Sequence, residues 1–311
     1  MLYGNLIETI GNTPLVEMPR LSPKPGVRLF AKLEGQNPTG SVKDRIAKYM
    51  IEAAEKAGEI TPGRTILEPT SGNTGISLAM ICRIKGYTLK VVMPESVSEE
   101  RTQLLEAFGV EIVYSDGAKG TNGAIAVAQE MVAANPEYLM LYQYGNEANP
   151  RAHYETTGPE ILADLPDIDV FVAGLGTGGT LTGVGHFLKE KLPDVKIVAC
   201  VPHPGDLVQG LRSLDEGFIP PVLDETVLDG RIVVDSRTSF AATKELAQQE
   251  GILAGISSGA ALRTAQKVAE RLDTGNVVVL FADGGWKYLS TSLWTKDYDD
   301  LIQDVEGKVW W

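Results

Sequence analysis

Four glycine-marked turns, each opening onto a helical run, constrain this chain more than any other feature of its sequence. Around them, from residue 41 onward, short β-branched runs alternate with amphipathic runs of helical period. Strands are expected at Thr65–Glu68, Leu89–Met93, Val110–Tyr114, Asp169–Ala173, Lys196–Val201 and Val277–Phe281. Helices are expected from Val42 to Gly58, over Ile76–Lys85, and behind a Ser96…Glu99 capping box as far as Gly109. Further helices are expected over Ala124–Ala134, Leu181–Leu192, Phe240–Gln249 and Ala260–Leu272. Strands alternating with helices make parallel sheets, with binding loops at the strand C-terminal ends. A chain of 311 residues holds about two such α/β domains. The longest irregular stretch, Pro202–Val234, is rich in Gly, Pro and Asp, and a loop of that length is more often functional than idle.

Charge removes several function classes. The chain has 28 Lys and Arg against 41 Asp and Glu, a formal net charge of −13, which argues against nucleic acid or a membrane surface as partner. A small anion is not excluded, because it answers to the local field of a site. No apolar run approaches the roughly 20 residues of a membrane helix, and the N-terminus lacks the pattern of a signal peptide. Cys82 and Cys200 make neither a disulfide framework nor a metal cluster, and His153, His186 and His203 are scattered singly. The reducing cytoplasm is therefore the expected compartment, and no metal is expected.

The first turn is Asn37-Pro-Thr-Gly40-Ser-Val-Lys43. It is not a P-loop, because the lysine does not directly follow the second glycine. Ser41 is the expected N-cap, which puts Lys43 in the first helical turn, where positive partial charge would help to depress its pKa. A solvated surface lysine satisfies the same spacing; only a site would supply the burial that makes this amine a nucleophile or base. The second turn, Thr70-Ser71-Gly72-Asn73-Thr74-Gly75, places hydroxyls and backbone N–H groups at a helix start, an anion cradle for a carboxylate or phosphate. The third, Gly174-Leu-Gly176-Thr177-Gly178-Gly179-Thr180, satisfies G-x-G-x-x-G. A dinucleotide fold, and with it an NAD-dependent dehydrogenase, requires an acidic residue at the end of the next strand, which here ends Cys200-Val201-Pro202. A monophosphate cup of neutral donors is what survives. The fourth, Gly255-Ile-Ser257-Ser-Gly259, matches a nucleophile elbow, but every histidine lies earlier in the chain than a hydrolase triad of that type allows. Ser257 remains as a hydroxyl presented at a strand–helix junction.

A lysine, a carboxylate cradle, a neutral phosphate cup and a placed serine are the parts of a pyridoxal-phosphate site. The sequence resembles the cysteine synthases, fold-type II pyridoxal-phosphate enzymes of tryptophan synthase β-like architecture. The resemblance runs from Ile10-Gly-Asn-Thr-Pro-Leu15 to Tyr288-Leu-Ser290 and is carried by the four turns. It implies that Lys43 forms the Schiff base and takes the α-proton, that Asn73 bonds the cofactor's phenolic oxygen, and that Ser257 faces its pyridine nitrogen. It implies that Gly176, Thr177, Gly178, Gly179 and Thr180 hold the cofactor phosphate, and that Thr70, Ser71, Thr74 and Gln143 hold the substrate carboxylate. It also implies a large domain of residues 1–44 plus 146–311, a small mobile domain of residues 45–145, and a homodimer.

Within that family, Leu141-Tyr-Gln-Tyr-Gly-Asn146, Leu211-Arg212-Ser-Leu-Asp-Glu-Gly-Phe218 and Gly285-Trp-Lys-Tyr-Leu289 resemble the O-phosphoserine-using B-type enzymes. There the residue matching Arg212 recognises the substrate phosphate, as suits a guanidinium. The alternative for Arg212 is a salt bridge to Asp215 or Glu216. The run Thr177-Gly178-Gly179 instead follows the O-acetylserine pattern, which keeps the acetylserine enzymes as the alternative. The resemblance leaves two sulfur donors, free sulfide or a thiocarboxylated carrier protein. For Trp310-Trp311 a loose end is expected ahead of a tail folded into the cleft.

Overall fold

The computed structural model describes residues 2–305 apart from Ser71, Ser96, Ser98 and Leu207. The expected substrate contact Ser71, the capping residue Ser96 and the Trp310-Trp311 end lie outside the described residues. The strands are β1 (Leu15–Glu17), β2 (Val27–Leu33), β3 (Thr65–Pro69), β4 (Thr88–Pro94) and β5 (Glu111–Ser115), then β6 (Tyr138–Met140), β7 (Val170–Gly174), β8 (Lys196–Pro202), β9 (Gly230–Val234) and β10 (Gly275–Phe281). They form two sheets, of order β1-β2-β10-β7-β8-β9 and β5-β4-β3-β6. Every pairing is parallel except the short β1–β2 pair. This is the expected α/β class with parallel sheets.

Both faces of the larger sheet are covered, which is why its central strands are continuously apolar. In β10, Val277, Val279 and Phe281 pack with Leu262 and Ala265 of the helix Ile256–Ala269. Val278 and Leu280 point the other way, against Leu181, Val184 and Leu188 of the helix Gly179–Lys191. The period-two alternation of a strand thus feeds two separate cores. On the smaller sheet, Ile66, Val91 and Met93 pack with Ile76, Met80, Ile46 and Met50 from the helices Asn73–Lys85 and Lys43–Lys56.

Several helices start earlier than their apolar period predicts: Asn73 rather than Ile76, Gly120 rather than Ala124, Ser236 rather than Phe240 and Ile256 rather than Ala260. The first turns are built from Gly, Ser, Thr and Asn, which carry no apolar signal. In the second, third and fourth glycine turns the polar residues are therefore the helix start itself. The first helix departs the other way: it begins at Lys43 with Val42 as cap, and Ser41 accepts the Lys43 backbone N–H at 3.3 Å without being the cap residue. The stretch Pro202–Val234 is not wholly irregular, since its end is β9, an edge strand of the larger sheet. The segment before Ser257 is not a strand either; Ala254 makes only an isolated bridge to Gly284. Among the described residues no helix is long and apolar enough to cross a membrane.

Candidate active site

The C-terminal ends of β3, β7 and β10 open on one cavity of ≈ 370 Å³, within the range that holds a small ligand or cofactor. Its walls include Lys43, Thr70, Asn73, Thr74, Gln143, Gly176, Thr177, Gly178, Thr180, Arg212 and Ser257. Gly179 stands beside it as the first residue of its helix. The structure therefore brings together the described residues singled out in the sequence, from segments more than 200 positions apart.

Lys43 is held by its neighbours. Asp44 is buried and accepts from the Thr39 backbone N–H at 2.7 Å, from Ser77 Oγ at 2.5 Å, and from the Thr39 hydroxyl. Arg45, also buried, donates to Glu34 at 2.7 Å and to Glu160 at 2.7 Å. With both flanking side chains pinned, Lys43 lines the cavity, and its amine has no hydrogen bond or ion pair among the described residues. Burial pushes this ammonium below the usual lysine range, against the opposing pull of Asp283.

The third turn is a cup that only glycine permits. A Cβ on Gly176 would lie 2.7 Å from Gly210 O, one on Gly179 only 1.9 Å from Asn149 Oδ1, and Gly178 has φ +85°. Behind the cup, Asn149 Nδ2 donates to Thr177 Oγ1 at 3.0 Å, and Thr180 Oγ1 lies 3.2 Å from His153 Nε2. Burial, with Arg45 and Lys43 nearby, keeps His153 well below the usual histidine range, so the cup stays neutral at its back. The helix start and these hydroxyls suit a phosphate.

Facing it, Thr74 Oγ1 donates to Gln143 Oε1 at 2.7 Å, and Thr70 Oγ1 accepts from Gly72 N at 3.2 Å. Glu68, fully buried, fixes the strand exit by accepting from Tyr142 N at 2.8 Å and Gln143 N at 3.0 Å. Asn73 is tied to residues that sequence reasoning missed: Asp283, Lys287 and, through Asp283, Tyr288. Arg101 was missed too. It is 2% exposed, lines the cavity, and leaves Nε and Nη1 without a hydrogen-bond partner. Its only sequence cue was a charged residue in a polar helix, which reads as solvent-facing. Arg212 sits 4.6 Å from the Phe218 ring centroid and 5.5 Å from that of Tyr144, with Nη1 3.4 Å from Asn122 Oδ1. The alternative ion pair to Asp215 is not formed; Arg212 has no ion pair among the described residues. Cys82 and Cys200 are buried and free, with thiols pushed up to about 12 by burial.

A cup restricted to glycine at a helix start, an unpartnered lysine amine and a buried Arg101 with Nε and Nη1 left without a partner all fit pyridoxal phosphate. Comparison with known proteins agrees. Residues 6–283 match the model of the family described as pyridoxal-phosphate dependent enzyme. A cysteine synthase of Staphylococcus aureus (strain Mu50 / ATCC 700699) is 45% identical over 303 residues, covering 94% of this chain and 97% of that protein. Among solved structures, an O-ureido-L-serine synthase aligns with TM-score 0.89 at 38% identity, covering 97% of this chain and 100% of its own. The cysteine synthase of Entamoeba histolytica aligns with TM-score 0.89 at 36% identity, covering 99% and 96%. A hydrogen sulfide-producing enzyme of Fusobacterium nucleatum aligns with TM-score 0.86 at 42% identity, covering 92% and 100%. The chain belongs to the pyridoxal-phosphate-dependent enzyme family and, within it, to the cysteine synthases.

Proposed function

We propose that this cysteine synthase acts on O-phosphoserine, replacing its phosphate with a sulfur nucleophile to give L-cysteine. The observation that carries the preference is Arg212: a cavity-wall guanidinium seated on two aromatic rings and bound to no carboxylate among the described residues. Such a group suits a phosphate ester bidentately, whereas an acetyl ester has no charge to meet it. The second reading, an O-acetylserine enzyme using free sulfide, is favoured by the Thr177-Gly178-Gly179 pattern of the cup.

In this reading Gly176, Thr177, Gly178, Gly179 and Thr180 hold the cofactor phosphate, Asn73 its phenolic oxygen and Ser257 its ring nitrogen. Pyridoxal phosphate, when bound, supplies the electron sink that acidifies the substrate's α-proton. Lys43 Nζ takes that proton, a task suited to an amine whose ammonium burial has already destabilised. Thr70, Thr74 and Gln143, together with Ser71, orient the substrate carboxylate, and Arg212 draws the leaving phosphate away from the β-carbon. Residues 45–145 act as a small domain that closes over the cavity and excludes water. The enzyme works as a cytoplasmic homodimer, with sulfur arriving as sulfide or on a thiocarboxylated carrier protein.

The test is product formation with both esters in the wild type and in Arg212→Ala. Arg212→Ala should lower kcat/KM for phosphoserine on the order of 100-fold, as loss of a charge-assisted contact would, and leave acetylserine nearly unchanged. An unchanged ratio of the two efficiencies rules out the phosphate role.

A further inference from the structure

Asn73 is held at both ends of its amide. Lys287 Nζ donates to Asn73 Oδ1 at 2.6 Å, and Asn73 Nδ2 donates to Asp283 Oδ2 at 2.8 Å. Tyr288 OH donates to the same Asp283 oxygen at 2.7 Å, which keeps that carboxylate in place. An asparagine amide can turn over with almost no change of shape, so its direction is set only by what its neighbours donate or accept. An ammonium is a donor only, and an ionised carboxylate an acceptor only. Between Lys287 and Asp283 the amide therefore has one favourable orientation. The reverse would set NH₂ against the ammonium and C=O against the carboxylate.

That orientation leaves the second N–H of Nδ2 for another acceptor, on a residue that lines the cavity. The geometry points to Lys287 as a positioning residue, which fixes the Asn73 amide so that an N–H rather than the carbonyl oxygen is offered to the oxygen of a bound cofactor. The inference rests on the proposed role of Asn73. A cation on Oδ1 also polarises the amide and makes its N–H a better donor.

Lys287 is placed to do this and little else. It is 2% exposed, lies in the turn Gly285–Thr291 directly after β10, and spends its closest contact on Asn73. Burial brings its ammonium down to about 8, opposed by Asp283 and Asp44 and reinforced by Arg101 and Lys43, with the Trp286 ring centroid 5.3 Å away. At neutral pH it therefore remains the charged donor that the orientation requires.

The experiment compares the full-length wild type, Lys287→Met, Lys287→Gln, Asn73→Ala and the double variant Asn73→Ala/Lys287→Met. The readouts are the dissociation constant for pyridoxal phosphate, the visible spectrum of the loaded protein and the Tm of the cofactor-free protein. Lys287→Met should weaken cofactor binding about tenfold, the scale of one charged hydrogen bond, and shift the visible band. Lys287→Gln, which keeps a polar group of similar length and guards against a variant that does not fold, should shift it in the same direction. In the Asn73→Ala background the Lys287→Met change should add nothing beyond its effect on Tm. Should Tm fall while spectrum and affinity stay at wild-type values, or should the lysine's effect persist undiminished without Asn73, the positioning role is overturned. A wild type that binds no pyridoxal phosphate would overturn the proposed function instead, and would be seen before any variant is made.

Discussion

At the first turn of its helix, Lys43 is bracketed by Asp44, turned to Thr39 and Ser77, and Arg45, turned to Glu34 and Glu160. Each neighbour is a buried charge that would be costly to leave unpaired, so each anchors the backbone on one side of the lysine. Glycine does the corresponding work in the cup of the third turn. Gly179→Ala would drive a Cβ to 1.9 Å from Asn149 Oδ1, displacing the amide that supports Thr177. On Gly185, further along the same helix, a Cβ would lie 2.6 Å from Val227 Cγ2, a contact with none of the residues that support the cup. Both alanine variants should lose about 1–3 kcal/mol of stability, but only Gly179→Ala should also weaken pyridoxal-phosphate binding, as measured by equilibrium titration. Equal losses of cofactor affinity would show that the cup is not the phosphate site. Lys43 and the cup glycines were legible in the sequence because each belongs to a contiguous run whose residue types mark a turn into a helix. Lys287, Asp283, Tyr288 and Arg101 were not, because Asn73 meets Lys287 across 214 positions and no local pattern encodes that distance.

Among the elements, β3 shows how a strand end sets a binding wall. Its Glu68 accepts both N–H groups that begin the Tyr142–Gln143 wall, where Gln143 in turn meets Thr74. Burial raises the Glu68 carboxyl to about 7 from an ordinary 4.5, against those backbone bonds. The folded state then binds the proton more tightly than the unfolded state between pH 4.5 and about 7. The stability this group contributes is complete below pH 4.5 and is lost as pH rises toward 7. Urea unfolding of Glu68→Gln should show a pH dependence flatter than wild type by on the order of 2–3 kcal/mol over that window. Identical pH profiles would mean that Glu68 takes up its proton alike in the folded and unfolded states. The element pattern was legible for most strands and helices between residues 41 and 281. It failed at β1 and β6, three residues each, at β2, whose Arg28 and Lys32 interrupt its apolar run, at the helix Tyr298–Val305, and over Ala148–Asp164, where Pro150, Thr156-Thr157 and Gly158-Pro159 weaken the helical signal around a π turn. β9 was hidden behind the Gly- and Pro-rich approach to it.

Across the whole molecule, two parallel sheets direct their C-terminal ends at one cavity, and the chain's net charge of −13 stands against a site built for anions. The resolution is local: the helix starts around the cavity, Arg212 and the buried Arg101 supply positive potential at its wall, with Lys287 behind Asn73. The charges that act on buried Lys287 are the cations Lys43 and Arg101 and the carboxylates Asp283 and Asp44. An anionic cofactor or substrate completes that set. In the proposed reading these residues serve a pyridoxal phosphate held by Lys43. Borohydride reduction of the purified protein, followed by mass mapping of its tryptic peptides, tests it most directly. A pyridoxyl group should be fixed on Lys43 alone. A label on Lys119 or Lys287, or no label on any peptide, would contradict it.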